Sequence, residues 1–153
     1  MLPIEKVDHV GIRVSQKQVS IDFYEGLGFE TLVDTCFEEG HPVIMRHPSG
    51  VVINLLGPST ASAGSNILMD VDEKHPGITH VSFKIASMEA AKTFLASKNI
   101  ELTGNFSFKG MHAIFFRDPD RNVIELDAYE GAEPVTRAKP SDEALESYKS
   151  HPK

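Results

Sequence analysis

From residue 9 the chain alternates. Val10, Ile12 and Val14 fall on one side and His9, Gly11 and Arg13 on the other, the period of a strand with one covered face. A helical spacing follows in Ser20, Ile21, Phe23, Tyr24 and Leu27, closed by Gly28. Three more strands are expected after it, the last two turning at HPSG (47–50). The same succession then recurs. THVSFKI (79–85) alternates, SMEAAKTFLASKN (87–99) reads as a helix with Ser87 as N-cap, and the final hairpin turns at DPDR (118–121). Each half reads β-α-β-β-β, so the expected class is α+β.

The two halves are copies. His80 minus His9 is 71, and Glu125 minus Asn54 is also 71. Sliding 9–55 onto 80–126 without a gap gives eleven identities, at positions 9, 10, 23, 30, 37, 41, 46, 48, 52, 53 and 55. Ordinary amino-acid usage would give about three. A period this long with two copies means a duplicated module, not a solenoid. The chain is therefore expected to be one domain of two modules, about 5–57 and 78–130. Residues 58–77, rich in small and turn residues, read as a linker with one ordered contact at Ile67, Leu68 and Met69. In the polar tail, 131–153, SDEALESYKS (141–150) has the pattern of a short capped helix or of a frayed terminus.

Composition narrows the function. A hydrophobic fraction of 41% and a charged fraction of 24% are those of a water-soluble globular chain. The formal net charge of −7 argues against nucleic-acid or membrane-surface partners, both of which attract basic patches. A single cysteine, Cys36, cannot form an internal disulfide and suits a reducing cytoplasm; it is expected to be a small buried or half-buried residue. No stretch is long and apolar enough to read as a signal peptide or a membrane span.

Strand parity then raises a chemical question. Glu125 interrupts the apolar run Val123, Ile124, Leu126, and a buried carboxylate is costly unless paired or metal-bound. Parity puts His9 and His80 on the sides away from the helices, together with Asn54 and Glu125 at equivalent positions of the two last strands. If the two sheets meet in one curved surface, these positions converge. Two imidazoles and a carboxylate suit iron, zinc, manganese, cobalt or nickel. Arg13 and Lys84, repeat partners, fall on the same faces and would favour an anionic substrate. Pairing across the hairpins adds His41 and His112, near Leu56 and Asp127, with Met45, Val43, Ile114 and Phe116 as apolar lining. A register slip of one residue would reverse that last placement.

DHVGIRV with FYEGLGF (23–29), THVSFKI, and FRDPDRNVIEL (116–126) together resemble the vicinal oxygen chelate superfamily, over roughly residues 5–130. That superfamily includes glyoxalase I, bleomycin-resistance proteins, fosfomycin-resistance enzymes, methylmalonyl-CoA epimerase and extradiol dioxygenases. The resemblance implies two βαβββ modules forming a partly open mixed β-barrel with flanking helices around a divalent metal, held by His9, His80 and Glu125. It also implies a homodimer. Asn54 departs from the pattern, because glyoxalase I members typically carry a glutamate there. Its amide oxygen can bind a metal but cannot take a proton from carbon at pH 7. The epimerase branch tolerates a neutral amide near this position.

Three functions compete. The first is a metal-dependent lyase or isomerase of the glyoxalase type, in which Glu125 or another group shuttles a proton and the metal stabilises an enediolate. The second is an iron(II) dioxygenase with His112 as acid or base, and the third a metal-free binding protein. All three ligand candidates are present, which speaks against the third. The short two-module chain fits the first at least as well as the second, and the first is the leading expectation.

Overall fold

The computed structural model describes residues 1–61 and 64–131. They fall into two compact units, one within Met1–Ser62 and one within Ala63–Thr136. The tail segment 141–150 lies outside the described residues.

The first unit contains β1 (Val10–Arg13), α1 (Lys17–Gly26), β2 (Glu30–Asp34), a 3₁₀ turn (Phe37–Glu39), β3 (Val43–Arg46) and β4 (Val52–Leu56). The second contains β5 (His80–Lys84), α2 (Met88–Ser97), β6 (Leu102–Phe108), β7 (Met111–Arg117) and β8 (Val123–Tyr129). Each unit is one βαβββ module, as expected, with a mixed four-stranded sheet ordered β1-β4-β3-β2 or β5-β8-β7-β6. In both, the first strand runs parallel to the last, and the others pair antiparallel.

The duplication holds at the level of single residues. Adding 71 to α1 gives the bounds of α2, and the same shift carries Val10↔Ile53 onto Val81↔Ile124. Even the irregularity between Thr31 and Val33 recurs between Leu102 and Gly104. The helices start differently. Ser87 caps α2 by accepting a hydrogen bond from Ala90 N at 3.2 Å, whereas Gln16 gives α1 no side-chain cap. Helix α1 nonetheless begins before Ser20, and Gly28 follows its end at φ 97°.

One face of each sheet is covered. Ile12, Val14, Tyr24, Val43, Met45, Ile53 and Leu55 are buried in the first unit; Leu95, Ile114, Phe116 and Ile124 are buried in the second. Cys36 departs from expectation. It is exposed and left-handed, at φ 84°, where the chain leaves β2 for the 3₁₀ turn.

The linker's ordered contact is polar and belongs to the second unit. Asp70 accepts from Arg117 Nη2 at 3.0 Å and from Arg121 Nε at 2.7 Å. Asn66 Nδ2 donates to Arg121 O at 3.2 Å. This clamp holds Arg121 at φ 66°, a position that Gly50 fills in the first copy at φ 94°. Of the apolar island, Leu68 lies against Gly77 while Ile67 and Met69 are exposed.

The hydrogen bond from Arg121, with Asn66 N and Arg117, lowers the Asp70 carboxyl to about 2. A carboxylate held below its unfolded value of about 3.9 contributes stability above pH ~4 and loses it between pH ~4 and ~2. Asp70→Asn is therefore expected to melt below the parent at pH 7, and the gap should shrink steadily as the pH falls to 2. A pH-independent gap in thermal melts would contradict the clamp.

Candidate metal and substrate face

Each module sets its histidine by the same device. His9 Nδ1 meets the Asp8 carboxylate at 2.9 Å, and His80 Nδ1 meets Thr79 Oγ1 at 2.9 Å. Positions 8 and 79 are themselves repeat partners. A carboxylate only accepts, so the His9 Nδ1 donates in that contact and Nε2 is left as the ring nitrogen that could meet a metal. Anchoring one ring nitrogen is the usual support of a metal-binding histidine; at His9 the other nitrogen stays available, whereas at His80 it meets Glu125. Sequence reasoning overlooked Asp8 and Thr79, which differ in identity and lie just ahead of the matched stretches 9–55 and 80–126.

Register explains the company that Glu125 keeps. Ser82 pairs with Glu125 across the parallel ladder and Phe115 pairs with it across β7, so His80, Ser82, Lys84, Phe115, Glu125 and Asp127 share one face. Glu125 is 9% exposed, and His80 Nε2 reaches its Oε2 at 2.9 Å. Burial pushes the Glu125 carboxyl above its ordinary range, the Asp127 charge and a carboxyl–carboxyl contact add to this, and His80 opposes it. Asp127 in turn accepts from Ser82 Oγ, while its Oδ1 is buried and accepts no hydrogen bond.

In the first unit Gly11 pairs with Asn54 and Arg13 with Leu56, so Arg13 and Asn54 share a face. Asn54 Oδ1 is buried and accepts no hydrogen bond from the described residues. Arg13 Nη1 donates to Gly57 O at 3.5 Å. Arg46, the repeat partner of Arg117, has a buried Nη1 with no acceptor among the described residues, where Arg117 has Asp70.

The hairpin pairings correct part of the expected lining. Both connections hold five residues, 47–51 and 118–122, closed by His47 N to Val51 O at 2.9 Å and Asp118 N to Asn122 O at 3.1 Å. Reading them as four-residue turns shifts every partner by one, which changes the face. His112 therefore pairs with Ala128, not Asp127, and lies on the face opposite Glu125, between Ser107 and Glu130 at 2.9 and 3.0 Å. Ile114 and Phe116 pair with Leu126 and Ile124 on that covered face, as Val43 and Met45 pair with Leu55 and Ile53. None of these five residues lines the face of Glu125 or Asn54. His41 is exposed and precedes β3, outside any strand.

Each unit carries groups of a kind that suits a divalent cation: His9 and the buried Asn54 Oδ1 in the first, His80 and the buried Glu125 carboxylate in the second. Among the described residues, no group of three or more His, Cys, Asp or Glu is already drawn together around a metal-sized space.

The model of the Glyoxalase/Bleomycin resistance protein/Dioxygenase superfamily matches residues 6–126. The chain belongs to that superfamily. Among solved structures, the glyoxalase family protein from Enterococcus faecalis is 27% identical, with TM-score 0.65, covering 80% of this chain and 97% of that one. Lactoylglutathione lyase from Agrobacterium tumefaciens is 17% identical, with TM-score 0.61 and coverage of 82% and 95%. TnmS3, an antibiotic binding protein from Streptomyces sp. CB03234, is 19% identical, with TM-score 0.64 and coverage of 85% and 100%. The last two likenesses establish the fold alone. No curated protein matches the sequence. No helix among the described residues is long and apolar enough to cross a membrane.

Glu125 sits in the superfamily's last strand at a cost to folding, since its charge is desolvated beside a second carboxyl. Glu125→Gln keeps an acceptor for His80 and removes that charge. In chelator-treated protein at pH 7, the substitution is expected to raise stability in a denaturant titration. A loss of stability would mean that the His80 pair is itself the reason for the carboxylate.

Proposed function

We propose that the protein is a divalent-metal-dependent enzyme of the glyoxalase type, a lyase or isomerase acting on a small anionic substrate with adjacent oxygens. The observation that carries the reading is the pair of repeat-equivalent histidines, each anchored through Nδ1 by the residue before it, together with the buried Glu125. His9, His80 and Glu125 are the proposed ligands, with Asn54 Oδ1 available as a neutral fourth. Iron, zinc, nickel, cobalt and manganese all match this donor set. When bound, such an ion supplies Lewis acidity toward a substrate carbonyl oxygen.

The chain's own residues do the rest. Asn54 cannot accept a proton, so proton transfer at the carbon beside the carbonyl falls to the carboxylates of the second unit. Glu125 and its neighbour Asp127 lie on one face there, Asp127 being oriented by Ser82. Arg13 and Lys84, on the faces of Asn54 and Glu125, give the anionic end of the substrate its counter-charge.

The test is proton exchange. Metal-loaded protein in deuterium oxide should exchange or isomerise the α-proton of hydroxyketone or thiohemiacetal substrates, observed by NMR. Glu125→Gln should lower that rate at least about 100-fold. Oxygen uptake on catechols with iron(II) would replace this reading with a dioxygenase. Tight binding without turnover or metal would replace it with a binding protein.

The working form is proposed to be a homodimer. Val7 and Ile78, repeat partners, are 78% and 87% exposed, beside the edge strands β1 and β5. Exposed apolar residues next to open strand edges favour pairing with another chain. Light scattering should give twice the chain mass, and a monomeric mass would refute this part.

A further inference from the structure

The face of the second sheet that carries His80 and Glu125 continues into an aromatic surface. Two pairing rows run across it: Phe106–Ala113–Asp127–Lys84, then Phe108–Met111–Tyr129. Phe106 and Phe108 are 50% and 55% exposed, and their rings stack at 6.4 Å with an interplanar angle of 21°. Tyr129 is 48% exposed. Three half-exposed aromatic rings on one sheet face are costly in water and offer π surfaces to a flat partner.

The charges divide along the strands. Glu125 lies toward the His80 end; Lys84 starts from the row of Asp127, but its ammonium group, like that of Lys109, reaches the rings of the next row. Lys84 Nζ sits over the Tyr129 ring at 5.4 Å and Lys109 Nζ over the Phe108 ring at 5.1 Å. Strand geometry puts Tyr129 about 13 Å along β8 from Glu125, and Phe106 about 10 Å across the sheet from Asp127. A ligand reaching from the carboxylates to the lysines thus crosses aromatic surface on the way and meets positive charge at its end.

From this we infer that the molecule recognised on this face is a planar aromatic anion, its rings against Phe106 and Phe108 and its negative group paired with Lys84 or Lys109. The inference deepens the function proposed above and rests on it for the idea that this face binds substrate; it names the class of substrate body. Flatness follows from the stacked phenyl rings, and negative charge from the two ammonium groups.

The test uses 2-naphthoate with the full chain, followed by naphthoate fluorescence, and metal content is measured on the same samples. Phe106→Leu and Phe108→Leu keep the apolar volume and remove the rings. Each is expected to weaken naphthoate binding about threefold to tenfold while leaving metal content unchanged. Lys84→Met should weaken 2-naphthoate but not the neutral 2-naphthylmethanol, and cyclohexanecarboxylate should bind less tightly than 2-naphthoate. Naphthoate binding by protein that takes up no divalent metal when it is supplied would leave this inference standing and remove the metal-dependent reading. Absence of naphthoate binding, or binding indifferent to both leucine variants, overturns the inference. So does a change of mass in light scattering of those variants, because the rings would then be covered by a second copy.

Discussion

The parallel ladder between the first and last strand of each module governs everything else about the fold. An antiparallel partner can be reached through a short turn, but a parallel one needs a crossover, and here α1 and α2 begin that crossover. The helix must then cover one face, which leaves the other for chemistry. The same ladder sets position 11 beside 54 and position 82 beside 125, so the residue that opens each module ends up next to the strand that closes it. A histidine two residues before that pairing, held by its predecessor, therefore takes the equivalent position within each module.

Duplication gives two equivalent frameworks, and the differences between them carry the function. Where the second copy has Glu125, the first has Asn54, an acceptor without charge. Where Arg117 has Asp70, Arg46 has no acceptor for its buried Nη1. Asp70 comes from the segment between the modules. The second unit thus carries both the carboxylates and the clamp that fixes its hairpin, and the first supplies neutral or cationic groups. On the proposed reading, acid–base work belongs to one module and charge complementarity to both.

Most of this architecture was legible in the residues. Alternation at 9–14 and 79–85, helical spacing after each, and the constant offset of 71 defined both modules and their faces. Parity alone placed Arg13 with Asn54 and Lys84 with Glu125, because each pair is read within strands whose partners are fixed by the parallel ladder. The hairpins were harder. Composition marks where a turn lies but not how many residues it spans, and a fifth residue in each connection turned His112, Ile114, Phe116, Val43 and Met45 to the covered face. Cys36 escaped for a related reason, since its left-handed backbone belongs to an irregular segment with no period. The anchors Asp8 and Thr79 differ in identity, so they left no match in the repeat comparison.

The central claim is that the buried Glu125 and the two anchored histidines are there for a metal. Cobalt(II) reports directly on this, because its visible absorption records the ligands around it. Titrating chelator-stripped protein should give one saturating spectrum at one ion per chain, with affinity falling at least about tenfold in each of His9→Ala, His80→Ala and Glu125→Ala. A spectrum no different from free cobalt(II), or one that survives all three substitutions, would contradict the account.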